Sequence, residues 1–162
     1  MGAHPFLSGR DLSTVISVSV RTRDHSALPP AKLRFIEPMY ALAAQNVPEG
    51  QEWLYEVKFD GYRCLAGRDS SGVTLWSRRG NVFTNQFPHI AKACEQLPPG
   101  TLLDGEIIAL DKNGRISFNL LQHHRSHAQA MLFYAFDVIV HRGESLINVP
   151  LKNRRRSDND SL

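Results

Sequence analysis

Apolar and polar positions alternate most regularly between residues 53 and 59, where Trp53, Tyr55, Val57 and Phe59 are interleaved with Leu54, Glu56 and Lys58. A period of two predicts a half-buried β-strand. Asp60-Gly61 follows, a dipeptide that accepts positive φ at both central positions of a tight turn, and 62–68 returns as the second strand of a hairpin. In that hairpin Phe59 lies opposite Tyr62 and Lys58 opposite Arg63, so two cations share a face, with Glu56 one pleat away and the aromatic face turned to a core. Residues 69–72 have turn composition, and 73–77 should pair back on 62–68. Between 85 and 97 the period changes: Phe87, Ile90, Cys94 and Leu97 recur at helical spacing, Pro88 stands in the first turn, and Pro98-Pro99-Gly100 ends the helix. The stretch 101–110 reads as a strand interrupted by Asp104-Gly105, and 117–127 as a short surface helix. Residues 131–140 are apolar on both faces and predict a central strand. A turn at 141–144 and the start of a last helix at 150–156 complete the pattern. Residues 1–30 and 157–162 lack sustained periodicity and read as a flexible leader and a disordered tail, leaving 31–156 as the folded domain. Several antiparallel strands with few helices predict the α+β class.

Composition narrows the field only modestly. At 162 residues, 42% hydrophobic and 22% charged, the chain suits one globular domain with a real core. A net charge of +3 admits a polyanion partner without requiring one, and much of the basic excess lies in Arg78-Arg79 and Arg154-Arg155-Arg156. Cys64 and Cys94 have neither metal-site nor disulfide-framework spacing and read as buried thiols of a reducing compartment. No apolar run reaches the length of a bilayer span and no signal-peptide core opens the chain, so a cytoplasmic protein without a membrane partner is expected. His123 and His127 stand four apart, but with no third ligand a solvated histidine run is expected rather than a zinc site. Pattern alone leaves 56–63 open between an ordinary charged hairpin and a lysine whose neutral form is favoured by the cation beside it, as attack on an electrophile requires.

The wording of four segments, in order, decides between these. Lys58-Phe59-Asp60-Gly61, with Glu56 before and Arg63 after, resembles the K-x-D-G signature of the covalent nucleotidyltransferases, which comprise ATP-dependent DNA ligases, RNA ligases and mRNA capping enzymes. Ser77-Arg78-Arg79-Gly80 resembles the S-R-x-G motif of ligases, Asp104-Gly105-Glu106 their D-G-E motif, and Tyr134-Ala135-Phe136-Asp137 their Y-x-F-D motif. Residues 35–39 and 150–156 resemble the segments that flank these motifs, so the likeness spans about 36–156 and is closest to bacterial ATP-dependent DNA ligases, including the ligase module of end-joining enzymes.

The resemblance implies a partial nucleotidyltransferase adenylation domain of the α+β class. Lys58 would attack the α-phosphate of ATP, and AMP would pass from it to a DNA 5′-phosphate so that a nicked duplex is sealed in repair or recombination. Glu56, Arg63, Arg78, Glu106 and Phe136 would bind the nucleotide, Phe136 against the adenine ring and Glu106 also toward Mg²⁺; Arg79 receives no role. The family's later E-G-[LIV]-[MV]-x-K and K-x-K motifs and its oligonucleotide-binding barrel do not occur in these residues. The expectation is therefore a truncated domain, inactive in sealing by itself, with exposed sheet edges that favour self-association. An RNA ligase or capping guanylyltransferase fragment, or a non-catalytic nucleotide- or nucleic-acid-binding remnant, are the alternatives; the wording around Ser77 and Phe136 argues against the first and leaves the second open.

Overall fold

A computed structural model of the chain describes residues 29–43, 45–46, 49–50, 53, 55–123 and 130–154. Most of the expected leader, Leu54, His127 and everything beyond Arg154 lie outside the described residues. The elements run β1 (Tyr62–Asp69), β2 (Gly72–Ser77), a 3₁₀ turn (Thr84–Gln86), α1 (Pro88–Cys94), β3 (Thr101–Leu110), α2 (Phe118–Gln122), β4 (Ala130–His141), β5 (Glu144–Ser145) and α3 (Leu151–Arg154). The strands form one antiparallel sheet in the order β2-β1-β3-β4-β5, the α+β arrangement expected. No helix among the described residues is long and apolar enough to cross a membrane.

The β1–β2 hairpin forms where the turn composition places it. Asp69 Oδ1 accepts hydrogen bonds from the backbone N–H of Ser71 at 2.8 Å and of Gly72 at 3.1 Å, and Gly72 takes φ +136°. A local carboxylate thus satisfies the turn's donors, and a glycine supplies the conformation other residues avoid. At the far end of the sheet, consecutive positive φ at Arg142 (50°) and Gly143 (83°) turn β4 into β5.

Three expectations need correction. The strand predicted over 53–59 does not form: 55–60 is irregular, and Trp53, Tyr55 and Val57 are exposed. The reason is competition for edges. From Cys64 onward β1 is hydrogen-bonded to β2 on one side, and from Tyr62 onward to β3 on the other, which leaves only Tyr62 and Arg63 with a side unclaimed by β2 or β3, too little for an incoming 53–59 strand. Gly61 is accordingly not a positive-φ turn residue; a Cβ there would lie 2.3 Å from the Ile107 carbonyl oxygen and 2.8 Å from Glu106 Cγ, so glycine is what lets the chain cross β3. Second, Asp104-Gly105 does not interrupt β3, which runs unbroken and is buried at every position from Thr101 to Gly105. Gly105 is there because a Cβ would meet the Phe133 ring at 2.5 Å. Third, β4 stands between two strands, but β5 covers only its last residues, and the buried middle of the sheet is β3. An apolar run on both faces reports flanking layers, not rank in the sheet.

The two faces of the sheet are covered differently. One face packs Cys64, Ala66, Leu103, Ile107 and Phe133 against α1 and α2, with Phe87, Ile90, Cys94 and Leu121 filling the gap. Each of the Leu, Ile and Phe side chains buried there contributes about 1.5–3 kcal/mol by leaving water. α1 is shorter than the 85–97 predicted because a separate 3₁₀ turn takes its first residues, but of the predicted apolar positions Phe87, Ile90 and Cys94 are fully buried and Leu97 partly so. Cys64 and Cys94 are free and buried; burial pushes the Cys94 thiol up to about 12 and Cys64 well above its ordinary value, so neither is a nucleophile. On the opposite face Leu65, Leu102 and Val140 lie under Leu33, Phe35 and Ile36 of the segment leading into the domain. Farther along, the same face carries Arg63, Asp104 and Glu106.

Candidate active site

Glu56, Lys58, Arg63, Arg78, Glu106 and Phe136, the residues nominated from sequence, all line one cavity of about 500 Å³, together with Tyr40, Ala41, Val57 and Phe59. They arrive from separate parts of the chain. Arg63 of β1 stands directly across from Glu106 of β3, which stands across from Tyr134 of β4. Antiparallel partners project to the same face, so ladder register alone brings Arg63 and Glu106 together. Lys58 and Glu56 come in on the irregular 55–60 segment, held down at Phe59, whose ring centroid lies 4.4 Å from that of Tyr134.

Phe136 reaches the cavity through a β-bulge. Asp104 pairs with Asp137 and Gly105 with Ala135, which leaves Phe136 as the surplus residue of β4. A bulge bends a strand and re-aims a side chain. Here the re-aimed ring meets the Arg63 guanidinium, whose central carbon lies 4.6 Å from the ring centroid.

Arg63 is fixed from a second side. Its Nε and Nη2 donate to the two Asp104 carboxylate oxygens at 2.6 and 2.7 Å, a bidentate pair with side-chain exposures of 26% and 7%. Burial alone would lower the Arg63 pKa, but the hydrogen bonds and charge of Asp104 outweigh it and raise it. This changes the reading of the lysine. Arg63 is not an uncompensated cation beside Lys58, because Asp104 neutralises it. The carboxyl of Glu106 is pushed above the ordinary range by burial, against the opposing pull of the Arg63 and Lys58 charges. A cation delivered to the cavity would relieve that cost.

Arg78 is exposed in the turn after β2. Ser77 N–H donates to the Asn81 carbonyl at 2.9 Å, Gly80 N–H to the Ser77 carbonyl at 2.9 Å, and Asn81 N–H to Ser77 Oγ at 3.1 Å, which locks the turn's shape. Gly80 has φ +79°, with the Phe35 ring 3.1 Å from where a Cβ would stand. The guanidinium of Arg78 lies over Tyr40, 4.4 Å from the ring centroid. Arg79, left without a role, does not line the cavity. Two residues of the site were not foreseen. Asp104-Gly105 has the composition of a turn, although in a strand the spacing of two from Glu106 puts both carboxylates on one face. Tyr40 carried no signal beyond its aromatic character.

The arrangement offers one amine, two guanidinium groups, two carboxylates and an aromatic wall around a single space. Such a set suits a ligand with a flat ring and a phosphate chain, whose phosphorus an amine can attack. Among the described residues no three His, Cys, Asp or Glu side chains cluster as a metal site.

Comparison with known proteins agrees with this geometry. A family profile described as the ATP dependent DNA ligase domain matches residues 38–159. The multifunctional non-homologous end joining protein LigD of Pseudomonas aeruginosa is 37% identical over 124 residues, covering 75% of this chain and 15% of that protein. The bifunctional non-homologous end joining protein LigD of Bacillus subtilis is 34% identical over 138 residues, covering 74% and 22%. The chain thus spans less than a quarter of these relatives' length. Among solved structures, a mycobacterial DNA ligase D complexed with ATP and MES superposes with a TM-score of 0.56 at 35% identity, covering 62% of this chain and 33% of that one. The ligase domain of Mycobacterium tuberculosis LigD matches equally well, with the same TM-score of 0.56. With a profile covering most of its length and the nominated residues gathered in one cavity, this chain belongs to the ATP-dependent DNA ligase family.

Proposed function

We propose that the cavity is a lysine-adenylylation site, in which Lys58 takes AMP from ATP as the first step of DNA joining. The observation that carries this reading is convergence: Glu56, Lys58, Arg63, Arg78, Glu106 and Phe136 come from four separate stretches of chain and line one space of about 500 Å³. The uncharged Lys58 Nζ attacks the α-phosphorus, the bond from that phosphorus to the bridging β-phosphate oxygen breaks, and pyrophosphate leaves. The amine's surplus proton passes to solvent, to which Lys58 is exposed. Phe136 gives the adenine an apolar surface. Arg78 meets the phosphates at the mouth of the cavity.

Glu106 and Glu56 are oxygen donors suited to Mg²⁺, which is ordinarily held by one or two carboxylates plus waters and substrate phosphates. The raised pKa of Glu106 marks a carboxylate that gains from a cation. Bound there, Mg²⁺ would neutralise phosphate charge.

Transfer of the AMP to a 5′-phosphate on nicked duplex DNA, and a place in end-joining repair, extend the reading from the relatives' names to this chain. The test of the first step is intact-mass measurement after incubation with ATP and Mg²⁺. The expected result is a gain of one AMP that is lost in Lys58→Ala. Modification at another residue, or a gain that survives Lys58→Ala, would overturn the assignment; a gain of GMP from GTP in preference to ATP would point to a guanylyltransferase.

A further inference from the structure

The two arginines of the cavity are held in opposite ways, and the difference assigns a job to a residue no motif names. Arg63 has its Nε and Nη2 committed to Asp104. Arg78, among the described residues, makes no hydrogen bond or ion pair; its guanidinium rests on the face of Tyr40, 4.4 Å from the ring centroid. An aromatic face holds a guanidinium by the ring quadrupole and leaves the in-plane N–H donors untouched. A carboxylate in the same place would hold it more tightly but consume those donors and cancel the charge.

Tyr40 does not lie there by chance of a loose segment. Pro38, two residues earlier, is buried, and Phe35 packs on Gly80 of the same turn that carries Arg78. The 35–40 segment therefore touches the 77–81 turn twice, once at Phe35–Gly80 and once at Tyr40–Arg78. Tyr40 itself is 45% exposed and lines the cavity, so its ring is not fixed in place by a core.

From this geometry we infer that Tyr40 is a positioning residue of the nucleotide site: its ring carries Arg78 at the cavity mouth with its donors free for the phosphates of the bound nucleotide. The inference rests on the adenylylation reading. It requires that Tyr40 affect recognition of phosphate and not recognition of the nucleoside.

The experiment compares equilibrium binding of ATP and of adenosine to the whole chain by calorimetry or competition. Replacing the ring in Tyr40→Ala is expected to weaken ATP about two- to fivefold, the size of an exposed cation–π contact, and to leave adenosine binding unchanged. Tyr40→Phe, which keeps the ring, restores the wild-type ratio of the two affinities. Arg78→Ala weakens ATP by about tenfold or more, as loss of hydrogen bonds to a charged group does. In that background Tyr40→Ala has no further effect, because there is nothing left for the ring to hold. If Tyr40→Ala weakens ATP and adenosine alike, or remains additive with Arg78→Ala, Tyr40 does not act through Arg78 and the inference is overturned. If the unsubstituted chain binds ATP no better than adenosine, the adenylylation reading falls and takes the inference with it.

Discussion

Asp104 is nearly buried, and what it does is visible only through its partner. Removing its carboxylate in Asp104→Ala leaves the half-buried Arg63 guanidinium without its hydrogen-bonded counter-charge. The cost of breaking such a pair from one side is about 3 kcal/mol, the low end of the range because Arg63 remains 26% exposed. A denaturant titration should show this loss as a lower midpoint at unchanged slope; a wild-type midpoint would mean that water replaces the carboxylate at no cost. Glu106 makes the opposite kind of prediction. Its carboxyl lies above the ordinary value of 4.5 in the folded protein, chiefly through burial. Over the window from 4.5 up to the folded value, the folded state therefore binds more proton than the unfolded one. Stability falls as pH rises through that window and is greatest below it. Glu106→Gln should flatten that slope and raise the unfolding temperature at neutral pH, which thermal melts across a pH series would reveal. A steeper slope in the variant would contradict the assignment. At this scale the sequence was informative about residue types and silent about pairing. Arg63 was singled out by its place beside Lys58, whereas its counter-charge lies 41 positions away and is joined to it only by the sheet.

The segment that carries Lys58 shows where local pattern stops being sufficient. Alternation through 53–59 and the Asp60-Gly61 pair have the marks of a hairpin, yet the hairpin that forms is the next one along. Both candidate turns satisfy local rules. They differ in that β1 has its edges claimed by β2 and β3, a fact about strands tens of residues downstream. The 69–72 turn was legible because everything it needs, Asp69 for the donors and Gly72 for the angle, is contained in it. Gly61 was legible as necessary but for another reason, the close crossing over Ile107. Gly61→Ala should push the 55–60 segment off β3 while leaving the ladder intact. The expected outcome is loss of AMP incorporation at Lys58 with little change in unfolding temperature. A large fall in unfolding temperature would mean that the crossing supports the sheet itself.

The molecule as a whole is a sheet with one well-covered face and one divided between a small apolar patch and the cavity. Among the described residues β4 has a strand beside its outer edge only at Val140 and His141. An unpaired edge of that length is a template for another strand. Sedimentation over a range of concentrations should show species larger than a monomer; a monomer that persists at every concentration would exclude edge pairing in solution. The succession of strands along the chain from 62 onward followed from turns and apolar runs, but their order in the sheet and which lay at the centre did not, because hydrophobic content counts neighbours above and below and not beside. The bulge at Phe136 was equally hidden, since nothing in Tyr134-Ala135-Phe136-Asp137 marks one residue as surplus to the pairing. That surplus has an evolutionary consequence. A residue counted in the ladder is constrained by a partner opposite it, and exchanging it disturbs two strands. The register of β4 on β3 steps from Ala135 to Asp137 and does not count Phe136. A library randomised at that one codon would therefore vary the cavity's aromatic wall, and with it the seat of the Arg63 guanidinium, while Ala135 and Asp137 keep β4 in register on β3.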